Sequence, residues 1–239
     1  MKTFNLVVQG EFKRLLKYNI IQVSLGVSVL WLLILFMIGR EEAAQFIGLF
    51  IFMDITMMTV LLIGVSLFYE RQENTLKTLL VTPASIADLI AGKMISAVYL
   101  AFQSGVILAL FGKYLFDVAI DIPVFIFFVL LIALAHSAIG FTMSLYSKDF
   151  NGLLSLLMGY MIILAFPSIF YAFGLIPETM EMLMIISPTH ASFLLIERSI
   201  GGDVSIWQTV VSIVYLMLLP VVLTIRIIYP QYAEKGVRE

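Results

Sequence analysis

The chain has 239 residues, of which 62% are hydrophobic and 13% charged, and its mean hydropathy is +1.07. Soluble domains sit nearer half apolar and a quarter charged, so this composition excludes an ordinary soluble fold and specifies an integral membrane protein. A net charge of −2 gives no footing for nucleic acid, and the lack of Cys excludes disulfides, thiolate metal sites and a cysteine nucleophile.

Residues 1–18 are charged and amphipathic. Phe4, Val8, Phe12 and Leu15 recur at helical spacing, while Lys2, Gln9, Lys13 and Lys17 lie mostly elsewhere around the helix. This pattern predicts an interfacial helix in the headgroup region, and a plain positive-inside anchor is compatible with it. No small-residue cleavage site follows the first apolar run, so the segment does not read as a cleavable signal. Without Cys, and without Gly at position 2, there is no lipidation motif.

A spanning helix needs about 20 mostly apolar residues. Six segments qualify: 20–39, 46–69, 94–116, 122–146, 153–173 and 205–229. Their apolarity is continuous rather than alternating, which predicts an all-α membrane protein and not a β-barrel. Asp121 can cap the fourth helix, with Pro123 in its first turn. Pro167 and Pro220 fall inside the fifth and sixth helices and should kink them, and the carbonyls they free must find partners inside the protein. With the N-terminus inside, eleven Lys and Arg face the cytoplasm and three face out, which predicts cytoplasmic termini.

The stretch 69–93, between the second and third spans, carries six of the thirty charged residues. Leu76, Leu79, Leu80, Ile86, Leu89 and Ile90 form apolar stripes, and Glu70, Arg71, Glu73, Lys77 and Asp88 supply polar faces. Thr82-Pro83 is a break, because a residue before proline resists helix. Ser85 can cap the helix leading into the third span. The pattern predicts helix, break, helix along the membrane surface. Segment 174–203 is also apolar and is broken by Pro177, Pro188 and Gly201-Gly202. It predicts two short helices, 178–186 and 189–200, dipping into the outer leaflet, either as a lid over a pathway or as a packed loop. The whole of 1–239 reads as a single transmembrane domain, with 1–18 interfacial, 70–90 cytoplasmic and 174–203 external and re-entrant.

Asp54 is the one carboxylate well inside a span, and an intramembrane acid faces protein or water. It is either a cavity residue or a buried acid bonded to Thr56, Thr59 or an adjacent helix. Met57, Met58 and Phe166 join it as candidate pathway residues, since Met surfaces adapt to varied apolar ligands. His136 in the fourth span has no His or Glu at helical spacing for a relay, so Ser137 or a neighbouring helix should satisfy it. His190 has no metal-ligand partner in register. Ser155 with Gly159, and Gly140 with Ser144, are small-residue pairs that permit close helix approach.

Glu70-Arg71 followed by Thr75-Leu76 and Leu79-Leu80-Val81-Thr82-Pro83 resembles the motif after the second span of ABC-2 type exporter permeases (the type V fold). Gly92-Lys93 and the segment Ser187-Pro188-Thr189 before Gly201-Gly202 are similar to further motifs of that family, and the order of elements matches over essentially the whole chain. Phe52-Met53-Asp54 and Pro188-Thr189-His190-Ala191-Ser192 resemble a branch of small bacterial permeases labelled fluoroquinolone exporters. The resemblance implies a plasma-membrane permease half, bacterial or archaeal, for an amphipathic or hydrophobic substrate such as a drug, a lipid-like molecule or a peptide. It implies that 70–83 is a coupling helix seated on an ATP-binding subunit, through Glu70, Arg71, Glu73, Thr75, Leu76, Leu79, Thr82 and Pro83. It also implies a dimer with a second copy or a sister permease across Ser155 and Gly159, and an external gate at Pro188, Thr189 and His190. Gly92-Lys93 and Gly112-Lys113 lack the rest of the GxxxxGK[ST] loop. ATP and Mg are therefore expected on the partner, with no catalytic, cofactor or metal residues here. An ion-coupled transporter or channel, and a non-transporting scaffold or immunity protein, are the alternatives; the first needs several buried charges facing one another.

Overall fold

The computed structural model describes residues 2–73 and 82–238. Among these, every regular element is helical. Six helices are long and apolar enough to cross a membrane: Ile20–Ile38, Arg40–Gln72, Ile86–Leu115, Ile122–Tyr146, Phe150–Ala172 and Ile206–Glu234. The all-α, six-span expectation is borne out, with several span ends displaced and two of them, the starts of the second and third spans, by six residues or more.

The second span begins at Arg40, not 46. Gly39 takes a φ of +100°, which lets the chain turn straight from one span into the next, and Glu41 and Glu42 occupy the favourable first turn. The third span begins at Ile86, not 94. Ser85 Oγ accepts from the Asp88 N–H at 3.1 Å and the Asp88 carboxylate accepts from the Ser85 N–H at 3.3 Å, a capping box that starts the helix there. Residues 86–93 are thus the first turns of the span rather than a separate surface helix. Asp121 caps the fourth span as anticipated, accepting from the Val124 N–H at 3.3 Å.

The fourth span is the hub. It packs against the second, third and sixth spans and against a shorter helix, Pro188–Ser199. The closest approach is at Gly140, where a Cβ would sit 2.8 Å from the Cα of Val60. The first, fifth and sixth spans leave most of their surface outside the bundle. The N-terminal helix, Lys2–Lys17, lies along the start of the third span.

Three spans carry a π-helical turn: Asp54–Met58, Met161–Ala165 and Thr224–Ile228. Pro167 follows the second of these, and Pro220 lies one turn before the third, so both predicted disturbances are present. The carbonyl of Leu164, in the turn before Pro167, accepts hydroxyls from Ser187 at 3.1 Å and from Thr189. The segment preceding and opening the 188–199 helix thus ties itself to the turn before the break. That segment contains a 3₁₀ turn, Glu178–Met180, and a single helical turn, Glu181–Met184.

Thr189→Val keeps the side-chain volume and deletes one of the two donors to Leu164. The expected cost is about 1–2 kcal/mol, read as a lowered midpoint of thermal unfolding in detergent.

Candidate functional site

Four charged side chains meet where the second span ends, the third begins and the N-terminal helix crosses them. Glu11 is 0% exposed, and Glu70 and Lys93 are each 1% exposed. Lys93 Nζ donates to the Glu11 carboxylate at 3.0 Å and to Glu70, and Arg14 donates to both acids. Two acids and two bases sum to zero, the condition under which charges tolerate burial. Burial is the larger influence on Glu11 and pushes its carboxyl above the ordinary value, against the pull of Lys93. Tyr232 of the last helix is buried close enough to Lys93 to feel its charge, and packs edge-on to Phe141 at 5.5 Å.

This quartet escaped the reading of the sequence. Its one signal was Glu11, at helical spacing between Val7 and Leu15, an acid in the middle of a buried stripe. Gly92 makes the contact possible: a Cβ there would lie 2.8 Å from Val7. The buried face of the N-terminal helix is therefore Val7, Glu11 and Leu15, with Phe12 stacked edge-on to Tyr99 at 4.9 Å.

Arg71 also turns inward. Its guanidinium donates to the carbonyls of Ser144 at 2.5 Å and Ser147 at 3.0 Å. These are end carbonyls of the fourth span, where a cation suits the helix dipole. Glu73 pairs with Lys17 at 2.9 Å on the exposed rim, and Tyr18 stacks on Tyr69 at 4.6 Å. Of the eight residues predicted to meet an ATP-binding subunit, Glu70 and Arg71 thus face the protein's own seams, Glu73 lies at the rim, and Thr82 and Pro83 are exposed. Thr75, Leu76 and Leu79 lie outside the described residues.

The candidate pathway residues are dispersed. Asp54, 1% exposed, opens the π turn of the second span and accepts from Trp31 Nε1 of the first span at 3.1 Å, with Ser104 of the third span beside it. Thr56 and Thr59, the partners considered from sequence, instead donate backward to Phe52 and Ile55 carbonyls of their own helix. Met57 is buried, and Met58 packs toward Leu15, Ile20, Leu62 and Leu100. Phe166 lies on the exposed side of the fifth span against Phe170. His136 bonds the Ile132 carbonyl at 3.0 Å and meets Tyr160 edge-on, while Ser137 bonds Leu134 in the same helix. A neighbouring helix, not Ser137, flanks the imidazole.

At the other end of the bundle Pro188, Thr189 and His190 are buried rather than displayed. They open the 188–199 helix, whose Phe193 meets Phe52 of the second span edge-on at 5.7 Å. The face of the fifth span bearing Ser155 and Gly159 is unfilled among the described residues. Ser155 is exposed and bonds only the Asn151 carbonyl of its own helix at 2.9 Å, and a Cβ on Gly159 would have nothing within 4 Å.

A bundle of six apolar spans, closed at one end by a neutralised charged joint and at the other by a packed short helix, defines a multi-pass membrane protein. The family model for ABC-2 type transporters matches residues 3–196, and the chain belongs to that family. The match includes the N-terminal helix, the charged joint and nearly all of the 188–199 helix, and stops before the sixth span. A comparison with curated proteins gave no match.

Proposed function

We propose that this chain is the membrane half of an ATP-driven exporter, with ATP bound and hydrolysed on a separate subunit that seats against the 70–83 region. One observation carries the proposal: the residues on both sides of 74–81 are braced into the bundle. On the leading side Glu70 is locked to Lys93 and Arg14, and Arg71 to the end of the fourth span. On the trailing side, past the bend at Thr82-Pro83, Ser85 and Asp88 start the third span. A push on the connecting segment is therefore passed to the second, third and fourth spans together, which is what rocking one packed body against another requires. A solvated loop joining two helices would need no such bracing.

Two such chains, or this chain and a sister permease, would meet across the open Ser155–Gly159 face of the fifth span. The joint would face the cytoplasm with both termini, in the plasma membrane, and the 188–199 helix would sit at the external end.

The test is Leu76→Asp combined with Leu79→Asp, co-expressed with the cognate ATP-binding subunit. The expected result is a permease that still inserts and purifies but no longer retains the ATPase or stimulates its turnover. Unchanged assembly and unchanged stimulation would overturn the coupling assignment.

A further inference from the structure

At the end of the bundle remote from the charged joint lies a cavity of about 430 Å³, within the size range of small-molecule sites. Its walls include Glu181, Glu197 and Asp203, with Tyr171, Phe193 and Gln208. A second cavity, of about 240 Å³, shares Phe193 and Glu197 and continues toward Phe46 and Phe173 of the second and fifth spans, whose rings stand 5.7 Å apart. Three carboxylates thus border a space walled by aromatic rings.

No Lys or Arg lines this space among the described residues. The nearby Arg198 turns its guanidinium to the Val204 carbonyl at 3.4 Å. Glu181 receives a neutral donor, Gln208 Nε2, at 2.6 Å. Glu197 is more than half removed from water, and burial pushes its carboxyl above the ordinary range. An independent sign comes from His190. It is 0% exposed, both of its ring nitrogens lack a hydrogen-bond partner, and its Nε2 lies 3.8 Å from the Glu181 carboxylate that lines the cavity. Burial depresses this imidazole to about 4; it is neutral at pH 7 and does not balance the acids.

A half-buried acid without a counter-charge is costly, and the neutral His190 behind Glu181 supplies none. Among the described residues no set of His, Asp or Glu is gathered closely enough to hold a metal ion. The acids are spread around the space, and the surfaces between them are aromatic, which favours a cation over a ring face. We infer that this cavity is a binding site for an organic cation with an apolar body, such as a quaternary ammonium or phosphonium compound. The cationic centre would rest between Glu181 and Glu197, and the apolar groups would lie on Phe193 and toward Phe46. The inference gives the export reading a substrate class and rests on that reading for its role in transport.

The experiment measures tetraphenylphosphonium binding to the purified permease alone, by equilibrium dialysis, with tetraphenylborate as an anion of matching size and Ca²⁺ as a competitor. Saturable binding of the cation is expected, weakened at least about tenfold in Glu181→Gln combined with Glu197→Gln, since a loss of about 1.4 kcal/mol is a factor of ten. Tetraphenylborate should bind without saturation and equally to both proteins. Equal cation binding by wild type and variant, or equal saturable binding of cation and anion, would overturn the proposal. So would stoichiometric displacement by Ca²⁺, which would make this an inorganic cation site. If the double variant does not fold, Asp203→Asn, at an exposed rim position, should still weaken the cation a few-fold, and an unchanged value there would count against the site. Because no ATPase is present, failure here leaves the coupling proposal standing, and failure of the Leu76 and Leu79 variants leaves the site standing.

Discussion

Lys93→Met is expected to cripple folding. The replacement fills the same space but takes one of the two bases of the quartet away from Glu11 and Glu70, which are 0% and 1% exposed. Removing one partner from a buried ionic group costs about 3–5 kcal/mol, because the remaining charge is left without compensation. That is a large fraction of the stability of an ordinary domain. Adding Glu70→Gln restores neutrality and should recover more than half of the loss in thermal midpoint. This rescue separates charge balance from simple packing. Lys17→Met is the matching control: its pair with Glu73 is exposed on both sides, so its thermal midpoint should stay close to wild type. A Lys93→Met protein as stable as wild type would show that the quartet does not hold the joint.

The second large effect is at Gly140. A Cβ there would lie 2.7 Å from the Val60 carbonyl oxygen and 2.8 Å from Val60 Cα, and would also strike Ile63. Side chains can rotate away, but the backbone of the second span can only be pushed aside. Gly140→Ala should cost about 1–3 kcal/mol, the range for forced overpacking, and Gly140→Leu should abolish the folded state. Gly159→Ala, on the open face of the fifth span, should leave protomer stability unchanged or slightly raised, because alanine is the better helix former. The comparison is read by thermal scanning together with yield of monodisperse protein. If Gly140→Ala matches Gly159→Ala, the second and fourth spans are not as close as described.

The spans were legible because a bilayer demands unbroken apolar runs of known length. Their ends were less so. Residues 40–45 looked like a connector, yet the turn at Gly39 is so tight that the second span starts at once. Residues 86–93 looked like surface helix, because polarity marks an element without telling whether its polar atoms face water. Ser85 was the reliable sign there, since a cap acts through its own backbone neighbours. Glu70 and Arg71 were noticed, but their partners, Lys93, Arg14 and the end of the fourth span, come from elsewhere in the chain and have no periodicity. Asp54 stood out as an acid in a span; nothing local could name Trp31 as its donor. The break at Pro167 and the hydroxyls of Ser187 and Thr189 were each visible, and only the fold joined them.

The members of the charged joint come from positions 11, 14, 70 and 93. All emerge from the ribosome before the fourth span is made. The N-terminal helix and the first three spans can therefore close this electrically neutral quartet early. Arg71 is committed to acceptors still to be synthesised, the Ser144 and Ser147 carbonyls. It acts as a catch for the fourth span on its arrival, and the second half of the protein is then built onto a finished first half.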